Sequence, residues 1–262
     1  MTLLTEPTRI VLRNQLPADA EADAYIAAVE TADSQALEPG VKFAIKNFVL
    51  CCKQDGIWDA IKACCILAGA RTRLGALTPL VGTAPTPVAF IDADYNRRQG
   101  LKGNGSTKYL NSNRNNNTDP QDSNHNAVYV YTAATTTGIY ISASASTTQT
   151  GDNNFGRTGS TLFSRSRTST AFVGDSGTTT GLIGINRSGS TNYIFRAAGS
   201  DRPLAQSSEV PHNSTIHVYS GPTGAIPSDA RIAFYSIGES LNLALLDARV
   251  TDLINAFAAA IP

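Results

Sequence analysis

Apolar positions recur at steps of three and four over residues 18–65, change to steps of two between residues 88 and 238, and return to steps of three and four after Gly238. This change of period predicts helices at both ends of the chain around a β body. In the first helical stretch Tyr25, Ile26 and Val29 share a face, and Asp19, Glu21 and Asp23 occupy the opening turns, where a helix dipole favours negative charge. Glu38-Pro39-Gly40 breaks the chain. Val41, Ala44, Ile45, Phe48 and Cys52 then form the stripe of a second helix that stops at Asp55-Gly56. Asp55 is placed to cap a third helix carrying Ile57, Trp58, Ile61, Cys64 and Cys65.

Residues 69–87 mix Gly, Pro and Leu without a period and read as a connection. Beyond it, residues 88–91, 127–131, 138–141, 182–185, 193–195, 216–219 and 232–235 are short alternating runs bounded by Gly, Asn, Asp, Ser or Pro. No helical pattern separates them, so a parallel sheet has no crossovers to use, and an antiparallel two-sheet jelly-roll sandwich is predicted. After Gly238, Leu243, Leu246, Val250, Leu253, Ile254, Phe257 and Ile261 mark a long amphipathic helix, with Ser240 as its expected cap. The expected organisation is an N-terminal arm over residues 1–17 with a β-prone run at residues 9–12, a helical anchor subdomain over 18–75 and a linker over 76–87. The β-sandwich follows over 88–238, and a C-terminal helix over 239–262.

Charge narrows the function classes. Of 262 residues only 16% are charged and the formal net charge is zero, which argues against nucleic acid held by phosphate neutralisation. No run reaches the roughly 20 apolar residues of a membrane span, and the opening Met-Thr-Leu-Leu-Thr-Glu-Pro lacks the basic and apolar regions of a secretory signal. The expectation is a protein without membrane insertion. All four cysteines, Cys51, Cys52, Cys64 and Cys65, lie in the helical part, unlike a disulfide-framed secreted domain and in keeping with assembly in a reducing cytoplasm.

Several constellations invite a chemical reading. Gly174-Asp175-Ser176-Gly177, with His125 and Asp152 before it, resembles the nucleophile turn of chymotrypsin-like proteases, but Thr178 follows and the candidates lie too close together for two barrel halves. A turn between strands accounts for it better. No Glu occurs between Glu38 and Glu209, so the acid and nucleophile of a retaining glycosidase are not evident there; Asp92 and Asp94 are the alternative pair if they share a strand face. Adjacent cysteines on a helix diverge by about 100°, so small core residues explain Cys51-Cys52 and Cys64-Cys65 better than zinc does. Asp92, Asp94, Asp119, Asp122, Asp152, Asn153 and Asn154 offer oxygens to calcium, but turns favour the same residues and no spacing singles out a site. No cofactor and no metal is therefore assigned. His125, His212 and His217 are scattered.

The stretch 102–117 mixes cations, amides and an aromatic ring, making Lys108, Tyr109, Asn113 and Arg114 candidate ligand contacts, for a glycan or a neighbouring subunit. Arg165 and Arg167, two apart on an expected strand, join them, and Tyr129 and Tyr131 likewise share a strand face. Phe48, Trp58, Leu246, Val250 and Phe257 are candidate assembly contacts, because short striped helices need a packed partner.

Three stretches carry a resemblance. Residues 23–30 (DAYIAAVE) with 55–71 (DGIWDAIKACCILAGAR), residues 94–110 (DYNRRQGLKGNGSTKYL) with 113–117 (NRNNN), and residues 233–250 (AFYSIGESLNLALLDARV) together resemble a module of tailed-bacteriophage virion structural proteins. GLKGNGS at 100–106 and YSIGESL at 235–241 are also similar to early and late strands of concanavalin-A-like, laminin-G-like jelly rolls. The resemblance implies a mainly β, lectin-like sandwich in a non-enzymatic structural protein: a head decoration, a fibre, or a tail or baseplate attachment. It also implies a virion localisation after assembly in the host cytoplasm, with capsid or tail proteins as partners. A homo-oligomer is expected, a trimer by the phage analogy. Two other functions compete with this reading: a carbohydrate-binding host-adhesion protein whose partner is a host-surface glycan, and a polysaccharide depolymerase.

Overall fold

A computed structural model describes residues 16–143 and 150–262. The expected run at residues 9–12 lies outside them. Helix α1 (Ala20–Asp33) starts on Asp19, whose carboxylate accepts the Ala22 N–H at 3.0 Å, and α2 (Pro39–Gln54) starts on Pro39. The expected third helix is instead a short 3₁₀ turn, Trp58–Ala60, followed by strand β1 (Ile61–Ile66). Asp55 closes α2 rather than opening a helix, and its carboxylate takes Arg249 Nε at 2.7 Å and Nη2 at 3.0 Å.

The connecting segment is also more regular than its composition suggests. It carries the short helix α3 (Arg73–Ala76) and the edge strands β2 (Pro79–Val81) and β3 (Thr86–Val88), so the strand expected at 88–91 starts and ends earlier. Then come β4 (Tyr95–Asn96), β5 (Gly100–Lys102), β6 (Tyr109–Asn115), β7 (Asn124–Thr132) and β8 (Gly138–Ser142). They are followed by β9 (Asn153–Thr158), β10 (Thr161–Ser166), β11 (Phe172–Ser176) and β12 (Gly181–Arg187). The last strands are β13 (Tyr193–Ala197), β14 (Ser200–Leu204), β15 (Thr215–Val218) and β16 (Arg231–Gly238). Helix α4 (Leu243–Ala260) ends the chain. Its cap is Asn242, not Ser240: the Asn242 side chain accepts the Ala244 and Leu245 N–H groups at 2.9 and 3.2 Å, while Ser240 donates its own N–H to Ser123 Oγ.

The strands form two antiparallel sheets. The first runs β14-β13-β12-β7-β16-β1-β2, with β5 beside β16 and β4 beside β5; the second runs β11-β10-β9-β8-β15-β6-β3. The fold is thus mainly β, a two-sheet jelly-roll-like sandwich with helices laid on one side. Two cores result. Phe48, Val49, Cys64, Phe234, Leu246, Val250 and Phe257 fill the space between helices and first sheet. Cys65, Tyr140, Phe155, Ile183, Phe195, Val218 and Tyr235 fill the space between the sheets.

Burial on both faces explains why β1 imitates a helix in sequence. Cys64 faces the helices and Cys65 the second sheet, so consecutive positions are apolar and the period-two signal vanishes. Pairing across the chain decides its conformation, Cys64 with Ser236 and Cys65 with Tyr235. Phe48, Trp58, Leu246, Val250 and Phe257, expected as contacts between subunits, are all buried inside this chain. The helical stripes find their partner in the first sheet. No helix among the described residues is long and apolar enough to cross a membrane.

Asp33 ties α1 to the segment after β1. Its Oδ2 accepts the Arg71 N–H at 2.7 Å, and Oδ1 accepts the Thr72 N–H at 2.8 Å and the Thr72 hydroxyl at 2.6 Å. Gly75 packs so close that a Cβ there would lie 2.2 Å from Asp33 Oδ1. Asp33→Ala leaves these donors without their acceptor, so a loss of about 2–3 kcal/mol is expected. Urea unfolding checks it: the midpoint falls at unchanged slope, and an unchanged midpoint refutes the role.

Candidate functional site

The first sheet is covered by helices on one face and by the second sheet on the other. The second sheet has its own outer face, which the alternation along β10 identifies. Leu162 points into the sandwich core, so Phe163 and Arg165 point out. Val173 on β11 is the cross-strand partner of Phe163 and shares that face. Together with Thr137, Thr158, Ala171 and Ile226 these residues line a groove of about 220 Å³. Enclosed small-molecule sites run to roughly 300–1,000 Å³, so this groove suits a single residue of a larger ligand.

Arg165 is fixed within it. Its Nε donates to the Ser169 carbonyl at 3.1 Å, Nη1 to Asn154 Oδ1 at 3.4 Å, and its guanidinium carbon lies 5.9 Å from the Phe163 ring centroid. Val173 and Ile226 at the rim are exposed, at 56% and 38%. The groove thus presents an aromatic ring, a positioned cation and exposed apolar side chains. That set matches a ligand with both polar edges and apolar C–H faces.

The other expected contacts do not gather here. Lys108 pairs with Asp94 at 2.5 Å. Tyr109 stacks on His217, with centroids 5.0 Å apart and planes 13° apart. Asn113, at φ 57°, donates Nδ2 to the Ala84 carbonyl at 2.8 Å and to Thr86 Oγ1 at 3.0 Å. Arg114 makes a two-pronged contact with Asp119, Nε to Oδ2 at 3.1 Å and Nη2 to Oδ1 at 2.5 Å. Asn113 and Arg114 do line a second opening of about 300 Å³ at the sandwich edge, with Lys62, Gly82, Thr83 and Ser112. That opening lies on β6, four strands from β10 in the sheet.

Arg165 and Arg167 do not share a strand face. Strand β10 ends at Ser166, Arg167 adopts φ 54°, and its side chain is only 1% exposed. Phe163, Val173 and Ile226 were not anticipated as site residues. The Phe163-x-Arg165 alternation is visible in sequence, but Val173 joins it only through strand register.

The remaining constellations fall apart in space. Asp175 pairs with Arg202 at 2.7 Å, and Ser176 Oγ lies 2.8 Å from Thr178 Oγ1 on the edge strand β11. His125 belongs to the other sheet, held between the Glu239 carbonyl at 2.6 Å and Ser236 Oγ at 2.7 Å, where burial lowers its pKa to about 4. Asp92 and Asp94 occupy one 3₁₀ turn rather than a strand face, and Asp92 is taken by Arg73 at 2.9 Å. Asp122 accepts from Ser208, and Asp152 from the Asn153 N–H and Asn154 Nδ2. Among the described residues no three His, Cys, Asp or Glu side chains converge as metal ligands do. Burial raises Asp152 to about 7 against the pull of Arg165.

No family model and no curated protein matches the sequence. Solved structures do match the fold. The binding domain of botulinum neurotoxin serotype D superposes with a TM-score of 0.50 at 11% identity, over 74% of this chain and 50% of that one. This chain therefore spans half the length of that structure. Domain 4 of the GH43 extracellular arabinanase AbnA from Geobacillus stearothermophilus, in complex with arabinotriose, gives a TM-score of 0.41 at 12% identity over 66% of this chain and 82% of that one. At 11% identity the likeness to the toxin domain is one of fold, a two-sheet β-sandwich.

Proposed function

We propose that this chain is a non-enzymatic virion protein of a tailed bacteriophage whose lectin-like sandwich holds a host-surface glycan in the groove on the outer face of its second sheet. The groove carries the binding half of this reading. It joins an aromatic ring to a fixed guanidinium at an open rim. A sugar ring supplies the complement, C–H groups for Phe163, Val173 and Ile226 and hydroxyl oxygens for Arg165. The virion half rests on the resemblance of residues 23–30, 55–71, 94–110, 113–117 and 233–250 to phage structural proteins. The serotype D toxin structure that shares the fold is itself a binding domain, which accords with a recognition role. Any homo-oligomer, a trimer by the phage analogy, forms through surfaces other than Phe48, Trp58, Leu246, Val250 and Phe257, since these are enclosed.

A glycan array probed with the purified chain tests the binding half. A specific hit is expected, weakened roughly 30-fold or more by Phe163→Ala, the loss typical of a central anchor. Arg165→Gln is expected to shift preference among glycans. No hit on a broad array, with the protein found on intact particles by microscopy, would leave an assembly role without sugar. Clearing of host polysaccharide in zymography would instead identify a depolymerase.

A further inference from the structure

One end of the space between the sheets is polar, and its polar groups are not all satisfied. Arg167 is 1% exposed; its Nη2 reaches the Asp119 carbonyl at 3.5 Å, while Nε and Nη1 have no partner. The Asp119 carboxylate is already occupied by Arg114. Arg187 is equally buried and donates only to carbonyls, those of Ser166, Gly189, Asn192 and Gln206. Among the described residues neither cation forms an ion pair.

Further buried polar atoms without partners are linked to this end of the sandwich through Ser166, Asp119 and strand β7. Ser166, next to Arg167, donates to Asn124 Oδ1 at 3.3 Å, and the Asn124 Nδ2 is without a partner. Asn153 is the cross-strand partner of Ser166, and its Oδ1 is unpartnered. Asn116, three residues before Asp119, has an unpartnered Oδ1, and Asn126, on the same face of β7 as Asn124, has neither side-chain atom satisfied. Buried polar groups in native proteins are hydrogen-bonded in the great majority, and a buried cation without a counter-charge is costly. Water can meet the Asn116 and Asn153 oxygens. Water alone leaves both guanidiniums with only the more distant carboxylates of Asp119, Asp122 and Glu209 as counter-charge.

From this geometry we infer that a small anion of halide size is bound between the two sheets on Arg167 Nε and Nη1, with the Asn124 and Asn126 amides as further donors. The site is separate from the outer groove and does not depend on glycan binding. It compensates the buried charge of Arg167 and closes the polar end of the sandwich.

Crystals of the unchanged protein soaked in sodium bromide test it directly. An anomalous bromide peak within hydrogen-bond reach of Arg167 Nε or Nη1 is expected. Water at that position without a bromide signal, or bromide only at the surface, overturns the inference. In solution, the melting temperature in chloride is expected to exceed that in gluconate at equal ionic strength, by about 3–5 °C at ten times the dissociation constant. Arg167→Met is expected to abolish the difference. Equal melting in the two salts for the unchanged protein also overturns the inference, and if the variant fails to fold, the bromide map decides.

Discussion

Phe48→Asp is expected to leave no folded protein at any concentration. Phe48 is 2% exposed and meets Phe234 edge to face, with centroids 5.7 Å apart and planes at 72°, at the centre of the contact between α2 and the first sheet. Removing the ring alone costs about 3–5 kcal/mol, and a carboxylate in its place must give up its hydration in an apolar interior. The sum reaches the whole stability of an ordinary domain, about 5–15 kcal/mol. The same substitution in a true subunit contact would dissociate an assembly while leaving the monomers folded. Far-ultraviolet circular dichroism beside light scattering separates the outcomes: a folded, dissociated monomer would contradict the intramolecular packing.

The second large effect is a dependence on pH that two buried groups drive in opposite directions. Burial holds Asp152 at about 7 against an ordinary 3.8, so between those values the folded chain keeps a proton that the unfolded chain has released. Stability from this group is fully present below pH 3.8 and is lost as pH rises towards 7. About three pKa units correspond to about 4 kcal/mol at most. His125 runs the other way. Burial holds it at about 4 against an ordinary 6.5, so its contribution is present above pH 6.5 and lost as pH falls towards 4. The opposed slopes partly cancel in the wild-type protein. Asp152→Asn removes one of them, so the stability of the variant relative to wild type is expected to grow as pH rises from 4 to 7 and to level off above it. A difference that stays constant across urea titrations in that window would refute the buried, proton-holding carboxyl.

How much of this was legible varied by element, for identifiable reasons. Helices α1, α2 and α4 bury one stripe each, so Tyr25, Phe48 and Leu246 announce their faces in a single sequence. Strand β1 is enclosed on both sides, and its consecutive apolar residues carry no period at all. Strands β6, β9 and β10 hid their burial for the opposite reason. Ser112, Asn153, Ser164 and Ser166 are buried on them, so polar residues stand where alternation would place apolar ones. The same polar interior explains why Arg167 resembled a surface residue. Its burial depends on the φ 54° turn after Ser166 and on Asp119 from a distant loop.

The groove shows the same division. The spacing of Phe163 and Arg165 puts them on one face of β10, although only Arg165 stood out in the sequence, and Val173, Ile226 and Thr137 reach them through strand register and loop paths that no local pattern encodes. The sequence by itself determined helices α1, α2 and α4, the apolar side of each and the change to a β body between them, because such periods act over a few residues. Only the tertiary structure decided what covers each apolar face, which sheet has an outer face without helices among the described residues, and where the buried charges lie. Those outcomes depend on pairings such as Cys64 with Ser236, between residues far apart along the chain.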